Sequence, residues 1–188
     1  MPRRFLLTLD ETVKCLKDGE VIAYPTEAVY GLGCDPHSEA AVRKVLALKQ
    51  RPVEAGLILI ADKFERFEPY VAAVPSQLEK RARATWPGPV TWLFPRGESV
   101  PDWLAGSHAT IALRVTAHPV CRALCAAFKS AIVSTSANTR QAPPARSAAE
   151  VQAYFGSKLC GTLMGELGAQ AQPSEIRDLA TGRVLRAG

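Results

Sequence analysis

Lys49-Gln50-Arg51 places two cations one residue apart, just before Pro52. An ammonium and a guanidinium at that spacing can grip several oxygens of a phosphate. They also fall where a helix is expected to end, and the dipole there favours cations with or without a ligand. Short polar side chains gather in two other places. Thr26 and Glu27 lie inside Tyr24-Pro25-Thr26-Glu27-Ala28-Val29-Tyr30-Gly31-Leu32-Gly33, and Ser134-Thr135-Ser136-Ala137-Asn138 follows Val133. Such clusters line ligand crevices at the strand ends of open α/β sheets. They also form turns that cap their own backbone. Arg114, just before Thr116 and His118-Pro119, and Arg186, near the last residue, read equally as site cations or surface charges.

Several chemistries find no support. Gly31-x-Gly33 lacks the third glycine and the following helix of a dinucleotide or P-loop motif. Neither His37, His108 nor His118 falls into a Ser/His/Asp arrangement. Glu27 and Asp178 are too isolated in sequence to make a two-carboxylate mechanism. The five cysteines, Cys15, Cys34, Cys121, Cys125 and Cys160, are scattered among mostly apolar neighbours. They read as reduced packing residues, and no protein-held metal is expected because zinc-like ligand spacing is missing.

The elements that must position these residues follow from periodicity. Thr8-x-x-Glu11, Ser76-x-x-Glu79 and Ser147-x-x-Glu150 have the form of capping boxes. Ser38 caps a further helix, and Pro119 opens another at its permissive first turn. Strands are expected at Val21–Tyr24, Leu57–Ile60, Val90–Phe94, Thr110–Val115 and Ala131–Val133, with short ones near Ile176 and Val184. Trp86-Pro87-Gly88-Pro89 reads as a stiff turn. Alternating helices and strands indicate an α/β domain, and 188 residues fit one domain, 1–188, with a sizeable core. Hydrophobic residues at 47% and charged residues at 22% are ordinary for a globular protein. No apolar run approaches the roughly 20 residues that span a bilayer, and the start lacks a signal-peptide core. A cytoplasmic location is expected, and a net charge of +5 suits anionic partners.

Taken together, the Tyr24–Gly33 segment, Lys49-Gln50-Arg51-Pro52, Trp86-Pro87-Gly88-Pro89-Val90-Thr91, Arg114-Val115-Thr116-x-His118-Pro119, Ser134-Thr135-Ser136-Ala137-Asn138 and Pro173-Ser174-Glu175-Ile176 resemble the YrdC family in its short bacterial form. Six motifs in the same order make the resemblance specific, and it runs from about Val21 to Gly188. It implies a twisted, mixed β-sheet flanked by helices around a basic crevice. It also implies a nucleotidyltransferase that joins L-threonine, bicarbonate and ATP into threonylcarbamoyl-AMP and diphosphate. The product serves threonylcarbamoyladenosine modification of tRNA beside the anticodon, through partner proteins.

By the same resemblance, Thr26, Arg114, Ser134 and Ser174 would hold threonine, with Arg114 on its carboxylate. Lys49 and Arg51 would be the catalytic cations, on the ATP phosphates and the carboxylated amine. Ser134, Ser136, Asn138 and Arg186 would complete the nucleotide side, with Mg²⁺ arriving on ATP. The chain departs from many relatives at Glu175, where they have Thr, and at Thr139-Arg140, where they have Ser-Gly. The reaction needs no protein nucleophile, so a site of Lys, Arg, Ser, Thr and Asn suits it.

Two rivals remain in view. A basic crevice would also suit a module that binds double-stranded RNA in ribosomal RNA maturation without catalysis. The chain has no RNA-recognition signature with paired aromatics. A sugar-phosphate synthase of riboflavin formation shares a related fold, but it calls for an acidic Mg²⁺ site.

Overall fold

The structure is a computed structural model and describes residues 5–140, 142–170 and 172–188. The basic start, Met1-Pro2-Arg3-Arg4, lies outside the described residues. Along the chain run β1 (Leu6–Leu7), α1 (Leu9–Lys17), β2 (Ile22–Pro25), β3 (Tyr30–Gly33) and α2 (Glu39–Lys49). Next come β4 (Ile58–Ala61), α3 (Ser76–Arg83), β5 (Val90–Pro95), α4 (Asp102–Ala105), β6 (Thr110–Val115) and α5 (Pro119–Phe128). The last elements are β7 (Ile132–Ser136), α6 (Ala148–Phe155), β8 (Gly161–Leu163), β9 (Glu175–Asp178) and β10 (Val184–Arg186). Among the described residues the strands form one ten-stranded sheet in the order β1-β8-β2-β3-β7-β4-β6-β5-β9-β10. It is mixed: β4 and β6 run parallel, while β7 is antiparallel to both β3 and β4. The expected α/β fold with a mixed, twisted sheet flanked by helices is therefore present.

Alternation along the central strands assigns the two faces. Ala23, Leu59, Ala61, Ile111, Leu113, Val115 and Val133 pack with α2 residues Val42 and Val45 in the larger core. Ile22, Tyr24, Ile60 and Ile132 point the other way and pack with Val13 and Leu16 of α1 and Leu124 of α5. Burying an aliphatic side chain of this size contributes roughly 1.5–3 kcal/mol. The face carrying Ile60 and Ile132 also carries Ile58 and Ser134, which line an open crevice beyond those helices.

Two of the three expected capping boxes form. Thr8 N–H donates to Glu11 Oε2 at 2.7 Å and Glu11 N–H to Thr8 Oγ1 at 3.3 Å, and Ser147 and Glu150 do the same. The third does not. Ser76 is already helical, Pro75 precedes it, and the Glu79 carboxylate turns to Arg83 Nε at 2.7 Å. The N-cap residue, Pro75, has no N–H to receive the Glu79 carboxylate, and the oppositely charged Arg83 four residues on takes it instead. Trp86 behaves as structure: its Nε1–H donates to Val90 O at 2.7 Å and its ring stacks on Phe94.

The cysteine expectation needs correction. Cys15 and Cys160 form a disulfide across 6.2 Å between Cα atoms, whereas Cys34, Cys121 and Cys125 are buried free thiols. The two partners are 145 residues apart, and packing of α1 against β8 brings them together. Sequence spacing alone gives no hint of that contact. Among the described residues no helix is long and apolar enough to cross a membrane.

Candidate active site

The crevice has a volume of about 690 Å³, and its floor is a row across four strands. Ser134, Ile58, Ala112 and Leu93 pair successively in register, and all four line it. The sequence-selected residues Thr26, Lys49, Arg51, Arg114, Ser134, Ser136, Asn138, Ser174 and Arg186 line this one crevice. They come from six separate stretches of chain, so only the assembled sheet unites them.

The Ser134–Asn138 cluster differs from the expected loop in one respect. Ser134 and Ser136 belong to β7 itself, with Ser134 opposite Ile58 and Ser136 opposite Gly31. Their hydroxyls occupy the strand face that Ile132 uses for the core, one pleat repeat further along. Past the strand, Ser136 Oγ donates to Asn138 Oδ1 at 2.7 Å, and Asn138 Nδ2 donates to Ala142 O at 2.7 Å.

Lys49 ends α2, and Gln50 follows in the left-handed conformation with φ of 50°. That turn stops the helix and sends Arg51 to the same crevice. Lys49 is buried, and Nζ donates to Ser136 O at 2.6 Å, Asn138 Oδ1 at 2.8 Å and Asn138 O at 3.0 Å. Burial, with Arg51 repulsion added, pulls its ammonium down to about 8. Arg51 is exposed, with Nε on Gly56 O at 3.1 Å and Nη2 on Ala55 O at 3.0 Å. Although the residue is exposed overall, desolvation of its guanidinium beside the crevice and the nearby Arg186 lower its pKa as well. Arg186, on β10, donates to Ser174 O at 2.8 Å, and burial and Arg114 lower it in turn. Lys49, Arg51 and Arg186 thus face one space with their charged forms disfavoured by desolvation and by neighbouring cations, a cost that a nearby anion would offset.

Elsewhere in the crevice, Thr26 Oγ1 donates to Val29 O at 2.6 Å, which ties the turn between β2 and β3. Ser174 Oγ and Thr91 Oγ1 share a hydrogen bond at 3.0 Å. Arg114, at the end of β6, is buried and paired with Glu27 at 2.8 Å. Burial alone would raise the Glu27 carboxyl, but Arg114 and the Thr116 hydroxyl outweigh it and hold it below its ordinary value. Glu27 is the lining residue that sequence reasoning set aside, because its partner lies 87 positions away on β6. Among the described residues no group of three or more His, Cys, Asp or Glu could hold a metal ion.

Gly31 and Gly33 serve packing. A Cβ on Gly33 would stand 2.6 Å from Val133 O and 2.7 Å from the Tyr24 ring. The glycines let β3 pass closely between β7 and Tyr24.

Residues 14–188 match the sequence profile of the Sua5/YciO/YrdC family, whose description reads "Telomere recombination". Threonylcarbamoyl-AMP synthase of Cellvibrio japonicus is 52% identical over 171 residues, covering 91% of this chain and 90% of that protein. The protein of the same name from Pseudomonas savastanoi pv. phaseolicola is 50% identical over 180 residues, covering 96% and 97%. Among solved structures, P. abyssi Sua5 complexed with L-threonine superposes with a TM-score of 0.89 at 29% identity. That match covers 97% of this chain but 57% of Sua5, so the chain spans a little over half the length of that relative. E. coli YciO shares the fold with a TM-score of 0.81 at 24% identity, covering 99% and 95%.

Proposed function

The chain belongs to the Sua5/YciO/YrdC family, and on that premise we propose that its crevice makes threonylcarbamoyl-AMP and diphosphate from L-threonine, bicarbonate and ATP. The observation that carries this reading is the gathering of Lys49, Arg51, Arg114 and Arg186 around one space with short hydroxyl side chains between them. Relatives 52% and 50% identical to it over nearly their whole length bear the name of that synthase, and the Sua5 structure is a complex with L-threonine.

The chemistry asks the protein to position anions more than to form bonds. Threonine's amine adds to the carbon of bicarbonate, water leaves, and a carbamate oxygen attacks the α-phosphorus as diphosphate departs. Arg114 takes the substrate carboxylate, with Thr26, Ser134 and Ser174 around the amino acid. Arg51 and Arg186 face the phosphates, and Lys49 holds the strand end from which Ser136 and Asn138 reach the nucleotide. Cations fixed before the reaction stabilise charge that moves onto the leaving oxygens, and fixed dipoles need no reorganisation. Mg²⁺ carried with ATP would be held chiefly by the nucleotide, since the described residues offer no carboxylate cluster for it, and would supply further neutralisation of the phosphate charge. Classed by its bond changes, the enzyme is a nucleotidyltransferase acting in the cytoplasm, and its product passes through partner proteins to tRNA.

Diphosphate release with Mg-ATP tests the proposal. Release is expected only when threonine and bicarbonate are both present. Equal release with alanine, or without bicarbonate, would refute it. Salt-sensitive binding of double-stranded RNA with no ATP turnover would favour the RNA-binding alternative instead.

A further inference from the structure

Glu27 is the one carboxylate among the described residues that line the crevice. Its Oε2 lies 2.8 Å from Arg114 Nη1, and the two side chains are only 8% and 9% exposed. Its Oε1 accepts from Thr116 Oγ1 at 2.6 Å, and that hydroxyl oxygen accepts from His118 N–H at 3.1 Å. Thr116 is fully buried. A chain of hydrogen bonds from the start of α5 thus fixes the carboxylate, and its Oε2, which accepts no hydrogen bond within the described residues, meets the arginine as an ion pair. Arg114 Nε stays buried without a protein partner.

A buried ion pair of this kind gives little net stability, because desolvation of both ions offsets their attraction. What it does supply is direction. A guanidinium binds a carboxylate well only when two N–H groups meet two oxygens in one plane, and a freely turning arginine loses that match. We propose that Glu27 is the positioning residue that orients Arg114 for the carboxylate of the amino-acid substrate. Pairing at Nη1 keeps the guanidinium turned in one direction at the crevice wall that Arg114 lines, where an incoming carboxylate would meet it. The inference rests on the reading of Arg114 as the carboxylate ligand given above. Glu27 also offsets part of the charge of Arg114, Arg186, Arg51 and Lys49, so its two roles affect the two substrates in opposite directions. Losing its charge should weaken threonine and leave ATP as tight or tighter.

Glu27→Gln keeps the size and the acceptor for Thr116 while removing the charge. The expected result is a threonine KM raised about ten- to a hundredfold, the range of a lost charge-assisted contact, with an ATP KM unchanged or lowered. Calorimetry with L-threonine and L-threoninamide gives a readout that mere loss of structure would not move. The preference for the acid over the amide should narrow by the same factor. Should Glu27→Gln not fold, Thr116→Val retains both charges and removes the bond that steers the carboxylate, along with the acceptor of His118 N–H. It should raise the threonine KM several-fold and spare ATP. Equal weakening of both substrates, or an unchanged acid-to-amide preference, overturns the inference. A wild-type protein without threonine-dependent diphosphate release overturns the proposed function and this inference with it. Wild-type turnover with an unaffected variant overturns the inference alone.

Discussion

Lys49 Nζ donates to both oxygens of Asn138, the side-chain Oδ1 at 2.8 Å and the backbone carbonyl at 3.0 Å. A third bond, to Ser136 O at 2.6 Å, uses the remaining N–H of the ammonium. Lys49 and Arg51 form one motif in the sequence, but they stand in different surroundings. The buried lysine braces the protein, and the exposed arginine is open to solvent and ligand.

The two should therefore separate on mutation. Lys49→Ala removes the ammonium that ties α2 to the end of β7, although Ser136 O keeps Asn138 N–H and Asn138 Oδ1 keeps the Ser136 hydroxyl, and should cost about 1–3 kcal/mol of stability besides abolishing turnover. Arg51→Ala should leave the melting temperature nearly unchanged and weaken ATP, since surface cations at a helix end contribute only about 0.3–1 kcal/mol. Urea denaturation and ATP titration of both variants decide this. Equal stability of the two would show that the Lys49 bonds do not brace the site.

The lowered Lys49 ammonium gives a pH dependence with a definite sign. Its folded value of about 8 lies below its ordinary 10.5, so the charged form is disfavoured by folding. Below about 8 both states are charged and the penalty is fully present. Between about 8 and 10.5 the unfolded chain holds more protons, so the Lys49 contribution to stability rises with pH. Charge in the crevice changes oppositely, and ATP affinity should fall as pH rises through 8. Lys49→Arg removes a titrating group there, and the fall should vanish from its binding profile. A fall that persists in that variant would assign the titration to another group.

Gly33 offers a packing test away from the chemistry. Its missing side chain makes room for Val133 O and the Tyr24 ring. Gly33→Ala forces β3 away from β7 and should destabilise by ~1–3 kcal/mol, the usual cost of overpacking. An unshifted thermal melt would mean that β3 yields freely.

Several elements could be read before the structure because their signals are local. The Thr8 and Ser147 caps, the strand Thr110–Val115 and the helix Pro119–Phe128 each carry their own periodicity and punctuation. Tyr30–Gly33 was hidden as a strand, since two glycines lower β propensity and only neighbours on both sides keep it extended. The two-residue β1 and three-residue β8 are too short to show a period. Site residues were legible as types, because Lys, Arg, Ser and Asn beside apolar strands are conspicuous. Their partners were not. Glu27 finds Arg114, and Lys49 finds Asn138, across separations that only sheet order sets.

The Cys15–Cys160 bond ties α1 to the segment before β8, and neither cysteine lines the crevice. Air-exposed protein should show three thiols on denaturation and five after dithiothreitol, from Cys34, Cys121 and Cys125 plus the released pair. Closing a long loop restricts the unfolded chain, so reduction should lower the melting temperature, by ~2–4 kcal/mol in stability terms. Threonine-dependent turnover should survive reduction, since neither cysteine lines the crevice. Five thiols without reductant would show that the pair stays open in solution.

Thr26 provides the sharpest separation of turn from site. Its hydroxyl donates to Val29 O at 2.6 Å, and its own N–H donates to the same oxygen at 3.2 Å. The carbonyl therefore keeps a partner when the hydroxyl is removed, and Thr26→Val should cost only ~0.5–1.5 kcal/mol of stability. The hydroxyl oxygen still has lone pairs, and the residue lines the crevice. A donor on the substrate, its ammonium or its hydroxyl, can use them. If it does, Thr26→Val weakens threonine by about 0.5–1.5 kcal/mol, or up to ~3 when the donor is charged, and leaves ATP alone. Thr26→Ser keeps both the turn bond and the acceptor, and should restore threonine affinity. Calorimetry with each ligand on the folded variants settles the role. Equal loss for threonine and ATP, or loss for neither, would leave Thr26 as a turn residue only.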